Sequence, residues 1–282
     1  MTDIPPRNGE VADPRSGADG GGPLHPSASP SGPPPRTGED FDSRTDYLLR
    51  LGDDALVLGQ RLSEWCGHGP VLEVDISLAN LALDLIGQAT LLLGEPGDGD
   101  RLAFHRDVLD FHNCLLVEQP NGDFAQTIAR HLLYTTWQYM LLERLTQSSD
   151  RFLSEFAHKA VKEVAYHREL ASEWTVRLGD GTEESARRMA EGLDWCWRFI
   201  PELFEVDETL EQLIAAGVAP DPRQFEKEYR SVLAAVLDEA KLNAPAEQRP
   251  ILGGRRGHHS EHLGHLLALM QFLPRTYPDA SW

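Results

Sequence analysis

The sequence predicts an all-α fold: an antiparallel four-helix bundle with additional helices toward the C-terminus. Three observations carry that expectation. Apolar residues recur at steps of three and four through several windows of twenty or more residues. Short clusters of Gly, Pro, Asn, Asp and Ser join these windows, and short joints imply antiparallel neighbours. No window alternates with period two, and no internal repeat of about 30–45 residues is present, so neither a sheet nor a solenoid is expected.

In chain order, residues 1–44 hold nine prolines and a Gly-Gly-Gly, with almost no large apolar residue before Phe41. Such a segment cannot bury enough surface to offset its ordering entropy, and it is expected to be a disordered tail ahead of one helical domain at 45–282. Order should begin at Thr45 or Asp46. Leu48, Leu51, Ala55, Leu58, Leu62 and Trp65 then mark one face of a first helix that stops near Gly67. Asp75 is the expected cap of a second helix, from about Ile76 to Leu93. That helix is apolar on nearly every side and is interrupted only by Asn80, Asp84 and Gln88 at steps of four, which places it in the middle of the bundle.

A third pattern runs from about Leu102 to Val117, and Asp123 caps a long helix to about Thr146. The next spans 151–178 and closes at Gly179 and Gly181. Helical pattern resumes at about 183, kinks or stops at Pro201, restarts at Asp221-Pro222 to about Leu242, and ends with a helix over 259–273.

The formal charge of −19, from 26 basic and 45 acidic residues, argues against nucleic acid or an anionic membrane as a partner. Cys66, Cys114 and Cys196 are far apart, without CxxC spacing, and are expected to be buried free thiols of a cytoplasmic protein. No charged and apolar leader opens the chain, and Asn80 and Asp84 interrupt its longest apolar run.

Inside such a bundle the chemistry to test first is a carboxylate-bridged dimetal centre. It needs a Glu from each of two helices and Glu-x-x-His from the other two. Both positions are broken here: Asp84 is followed by Gly87 and Gln88, and Glu163 by Tyr166, with His167 one residue late. Glu163 and His167 still share a face, which leaves a residual site open beside the alternative. In that alternative Asn80, Asp84, Gln88, Glu163, His167 and His131 form a buried stripe bonded to itself. On the first helix Asp53 is expected in solvent, Asp54 nearest the apolar stripe and Glu64 on the opposite side. Leu49, Leu56 and Val57 are left over as a second apolar face, which implies a second protein.

The run Gly253–His265, GGRRGHHSEHLGH, pairs His258 with His262 and Glu261 with His265 at steps of four. It lacks the HExxH order of a zinc site, and a helix start tied down by histidine and Ser260 is the simpler reading. GxSxG, Walker A and GxGxxG motifs are absent.

The segments LRLGDDALVLGQRLSEWCGHGP (49–70), LANLALDLIGQA (78–89), LLVEQPNGDFAQTIAR (115–130), KEVAYHRE (162–169) and HSEHLG (259–264) resemble the C subunit of the bacterial phenylacetyl-CoA epoxidases, also called phenylacetate-CoA oxygenases. The likeness runs from about Tyr47 to Trp282. It implies a ferritin-like fold and membership of a multicomponent monooxygenase that inserts one oxygen atom into the aromatic ring. There an A subunit holds the di-iron centre, and a reductase delivers electrons from NADPH through flavin and an iron–sulfur cluster. The C subunit is implied to be structural, with no catalytic, cofactor or metal residue to carry over. Two alternatives stand beside it: a self-sufficient di-iron oxygenase using Asp84, Glu163 and His167, and a stand-alone homo-oligomeric helical protein.

Overall fold

The computed structural model describes residues 42–278 and Ala280, so the expected tail lies, up to residue 41, outside the described residues. The described residues form eleven helices and no strand: α1 Ser43–Ser63, α2 Leu72–Gly94, α3 Gly99–Phe104, α4 Leu115–Glu118, α5 Phe124–Leu145, α6 Arg151–Gly179, α7 Glu183–Trp197, α8 Glu208–Ala215, α9 Glu226–Glu239, α10 Glu261–Met270 and α11 Phe272–Thr276. The fold is all-α, as the periodicity implies.

Side-chain caps set several helix starts. Asp42, Asp123 and Asp150 accept the backbone N–H groups of Thr45, Gln126 and Leu153 at 2.7, 2.9 and 3.0 Å. Thr182 and Ser185 cap α7 reciprocally, each hydroxyl accepting the other residue's backbone N–H. α1 thus begins two residues ahead of the expected start, with Arg44 paired to Asp150 at 2.6 Å. α2 also begins early, at Leu72. Asp75 lies inside its first turn and accepts the N–H of Gly69 instead of capping.

α1 pairs with α2, and α5 with α6 and α7; α2 in turn meets α6. Close approach of α1 and α2 depends on two glycines. A Cβ on Gly52 would fall 2.7 Å from the Leu93 side chain, and one on Gly59 would fall 3.2–3.3 Å from Ile86, Leu85 and the Ala82 carbonyl.

α1, and not α2, is the central helix. It is buried without a break from Tyr47 to Gly59. Leu49, Leu56 and Val57 are therefore core residues of this chain, 0–5% exposed, rather than a face left for another protein. Asp53 is likewise fully buried, not solvated. α2 instead keeps an apolar side in solvent: Leu72, Ile76, Leu83 and Leu91 are 71, 51, 65 and 43% exposed. Its length and composition alone would suffice to cross a membrane, but its inner side packs in the bundle.

The expected helix over 102–117 is broken between Phe104 and Leu115, where only a short 3₁₀ turn at Val108–Asp110 intervenes. α8, which the sequence reading does not anticipate, starts where Asp207 caps Leu210. The last expected helix divides into α10 and α11 at Gln271, whose side-chain amide donates to the carbonyls of Ala103 and Arg106. Cys114 and Cys196 are buried and free, whereas Cys66 is exposed.

Gly59→Val should overpack the α1–α2 contact and cost about 1–3 kcal/mol. Urea unfolding should show a lower midpoint with an unchanged slope. An unchanged midpoint would mean that α2 does not depend on this approach.

Candidate functional site

The polar row of α2 meets α5 and α6, and its members part company. Asn80 is exposed and takes no part. Asp84, its carboxylate 40% exposed, lies 3.2 Å from Nε2 of fully buried His167. A carboxylate only accepts, so His167 donates from Nε2. Gln88 donates to Glu163 at 3.1 Å and accepts from Gln138 of α5 at 3.1 Å, while Lys159 stands 3.7 Å from Glu163. The stripe is bonded to itself, with Gln138 added. His131 is the exception. Fully buried, with its ring 5.5 Å from that of His167, it has no hydrogen-bond partner at either nitrogen among the described residues. Burial, with His167 and Arg130 nearby, pushes its pKa well below the ordinary histidine value, so the ring is neutral.

These residues do not fit a di-iron centre. Such a centre asks for four carboxylates and two imidazoles with free lone pairs converging between the helices. Here α2 offers one short acid and an amide, α6 offers an acid already bonded to that amide, and α5 offers a histidine with no acid beside it. Among the described residues no group of three or more His, Cys, Asp or Glu side chains is placed to hold a metal ion.

A second constellation is larger and is centred on the Asp53-Asp54 pair of α1. Asp54 accepts from Arg255 Nη2 at 2.7 Å, from the Cys114 N–H at 2.7 Å and from the Tyr134 hydroxyl at 3.2 Å. Burial raises the Asp54 carboxyl, while Arg255 and the Cys114 N–H pull it down. Burial also works against charge on Arg255, but Asp54 outweighs it and holds the guanidinium protonated above its usual range. Asp53 is bound by both arms of Arg106 and by the His112 N–H at 2.8 Å. Glu202 accepts three backbone N–H groups, those of Leu115, Gly253 and Gly254, at 2.6–2.9 Å. Here too burial pushes the carboxyl up, against those three bonds.

Glu118 completes the set. It accepts from the Ser260 N–H at 2.6 Å, from Asn113 at 2.9 Å and from His259 Nδ1 at 2.7 Å. His259 Nε2 faces the Phe111 carbonyl at 2.8 Å, and a carbonyl can only accept. Both ring nitrogens therefore donate, and His259 is an imidazolium. Burial opposes that charge, but Glu118 and the Phe111 carbonyl outweigh it and raise the pKa.

The run Gly253–His265 is thus a tether, as its simpler reading has it, through residues the spacing did not single out. Arg255 and His259 do the binding, whereas His258, Glu261 and His265 are exposed. The backbone N–H of Ser260, not its hydroxyl, makes the bond. The signal that could have exposed the tether is the adjacent acids Asp53-Asp54 in an otherwise apolar helix, which call for two cations from elsewhere. Neither buried thiol is a nucleophile: burial pushes Cys114 well above the usual thiol value and Cys196 up to about 12. A cavity of about 40 Å³ beside the tether, lined by Tyr47, Arg50, Trp137, Glu202 and Arg255 among others, has room for a few waters and not for an acyl-CoA.

Arg255→Met strands the Asp54 charge and should cost about 3–5 kcal/mol. Adding Asp54→Asn should recover part of that loss, so the double variant falls short of the sum of the singles. Strict additivity in urea titrations would deny the coupling. The raised folded pKa of His259 places its stabilisation at low pH, complete below its unfolded value of about 6.5 and lost as pH climbs through the folded value. Wild type should lose more melting temperature between pH 6 and 9 than His259→Gln does, at matched ionic strength. Parallel pH profiles would refute this.

Comparison with known proteins bears on this arrangement. Residues 36–282 match the model of a family described as phenylacetic acid catabolic protein. The chain is also similar to the C subunit of the 1,2-phenylacetyl-CoA epoxidase of Escherichia coli (strain K12), 48% identical over 245 residues, which is 84% of this chain and 98% of that protein. With a ferritin-like all-α fold and a match over most of its length, the chain belongs to the phenylacetic acid catabolic protein family.

Proposed function

We propose that this chain is the non-catalytic structural subunit of a multicomponent phenylacetyl-CoA monooxygenase, acting in the cytoplasm in aerobic phenylacetate degradation. It supports a separate di-iron subunit that forms the ring 1,2-epoxide, with flavin and an iron–sulfur cluster in a reductase partner. The observation that carries this reading is the chemistry of the polar row. Asp84 is engaged by His167, and Glu163 by Gln88, which in turn holds Gln138. Asp84 and Glu163 are each already committed to a neighbour, and one turn on from Asp84 Gln88 offers an amide where the centre needs an imidazole. The likeness to a protein named as the C subunit of an epoxidase supports the same role, since a protein so named works with others. The extensive buried tether, which fixes loops to α1 and lines no substrate-sized chamber, fits a protein whose task is shape.

The test is Glu163→Gln in the complex co-purified with the A subunit. Epoxidation should stay within about twofold of wild type, with the iron retained by the A subunit, and the measurable change should be in melting temperature or assembly. The chain expressed alone should carry far less than one iron. Loss of turnover with assembly intact, or about two irons per chain with oxygen-dependent turnover by the isolated protein, would make this chain an enzyme in its own right.

A further inference from the structure

Three buried polar atoms at the cavity beside the tether are answered by no group among the described residues. They are the Tyr47 hydroxyl on α1, the Trp137 indole N–H on α5 and Oε2 of Glu205, just past the 3₁₀ turn Ile200–Phe204. All three residues line the cavity, and Tyr47 and Trp137 are only 5 and 4% exposed. A buried donor or acceptor left unbonded is costly, and three of them around one cavity point to an occupant rather than to three separate defects.

The other polar groups of the lining are already engaged. Arg50 is held by Asp46 and Asp207, each at 2.6 Å, and Arg255 by Asp54 at 2.7 Å. Glu202 accepts its three backbone N–H groups, and Oε1 of Glu205 takes Arg256 at 2.6 Å. The remaining walls are leucine and proline side chains.

The three unanswered atoms define what can sit there. An indole N–H only donates, so the occupant must accept, and a carboxylate oxygen only accepts, so the occupant must also donate. Burial keeps the Tyr47 hydroxyl protonated, and it can do either. An anion offers no donor and would face the Glu202 and Glu205 carboxylates, whereas a metal cation offers no acceptor and would face Arg50 and Arg255. A neutral molecule that both donates and accepts remains. Each water needs about 10–15 Å³, so a cavity of about 40 Å³ takes about three of them. We propose that this cavity is a structural water site, in which about three molecules join Tyr47, Trp137 and Glu205 into one hydrogen-bonded unit. The unit spans α1, α5 and the segment that leads into α8, so solvent completes the packing of that segment on the bundle.

Crystal structures of the full chain, grown without small alcohols or glycols, test it. Wild type should show ordered waters in the cavity, with one bonded to Trp137 Nε1 and one to Glu205 Oε2. Tyr47→Phe removes one oxygen and keeps the ring; it should lose at least one of those waters and melt below wild type. Xenon under pressure should stay out of the wild-type cavity, since it occupies dry apolar sites. A dry cavity, or one that takes xenon, overturns the proposal, and so does an ion or organic molecule in place of water. An unchanged set of waters in Tyr47→Phe overturns it as well, because the hydroxyl would then be no part of the unit. Should that variant fail to fold, the wild-type crystal and its xenon derivative decide alone.

Discussion

Carboxylates buried in the interior must be paired, and that requirement organises the irregular half of this molecule. Asp53, Asp54, Glu118 and Glu202 are all 0–2% exposed. A lone ionised carboxylate in such surroundings costs far more than one bonded contact returns, so each needs several donors. The donors are largely backbone N–H groups of loops and helix starts: His112, Cys114 and Leu115 leading into α4, and Gly253, Gly254 and Ser260 before α10. The same bonds satisfy the carboxylates and the loop amides, which would otherwise be buried orphans. Arg106, Arg255 and His259 supply the balancing charge. Gly254 shows how tight the seat is, since a Cβ there would fall 2.4 Å from the Asn113 carbonyl.

The helical frame was legible because local signals and packing agree over most of it. The Asp123 cap, the turn before α6 and the stop at Gly179 are each written in residues next to the helix they bound, whereas α7 ends at Trp197, ahead of Pro201, which falls in a 3₁₀ turn over Ile200–Phe204. What misled was the assumption that a central helix must look apolar on every side. α1 carries Arg50, Asp53, Asp54 and Arg61 and is buried almost throughout, because distant groups pair its charges: Asp207 meets Arg50, and the Glu118 carbonyl meets Arg61. α2 looks the more buried of the two by composition and is the less so. Periodicity cannot show which side of an apolar helix another element covers. It also carries a helix straight through 105–114, since the amides there are claimed by carboxylates remote in sequence.

The polar row was legible in its chemistry and only partly in its geometry. Steps of four put Asp84 and Gln88 where α5 and α6 can reach them, but leave Asn80 in solvent. Of the fully buried members, His131 has no hydrogen-bond partner at either nitrogen among the described residues. Kept neutral by its burial, with His167 and Arg130 nearby, it is tolerated as an uncharged ring and not as a cation. That differs from the tether, where each buried carboxylate is held by two or more donors. The two constellations divide the interior into a strongly pinned part and a loosely satisfied part.

The tether has a further consequence for the order in which the chain becomes itself. Arg255 is 201 residues from Asp54, and His259 is 141 residues from Glu118. While the protein is being made, α1, α2 and α5 leave the ribosome long before those partners exist. Asp53 can find Arg106 and the His112 N–H early, but the Asp54 carboxylate must remain hydrated, or its end of the helix associate only loosely, until nearly the last residues have emerged. Native burial of the first helix is a late event, and a chain truncated ahead of Arg255 would hold most of its helices without being able to close around them.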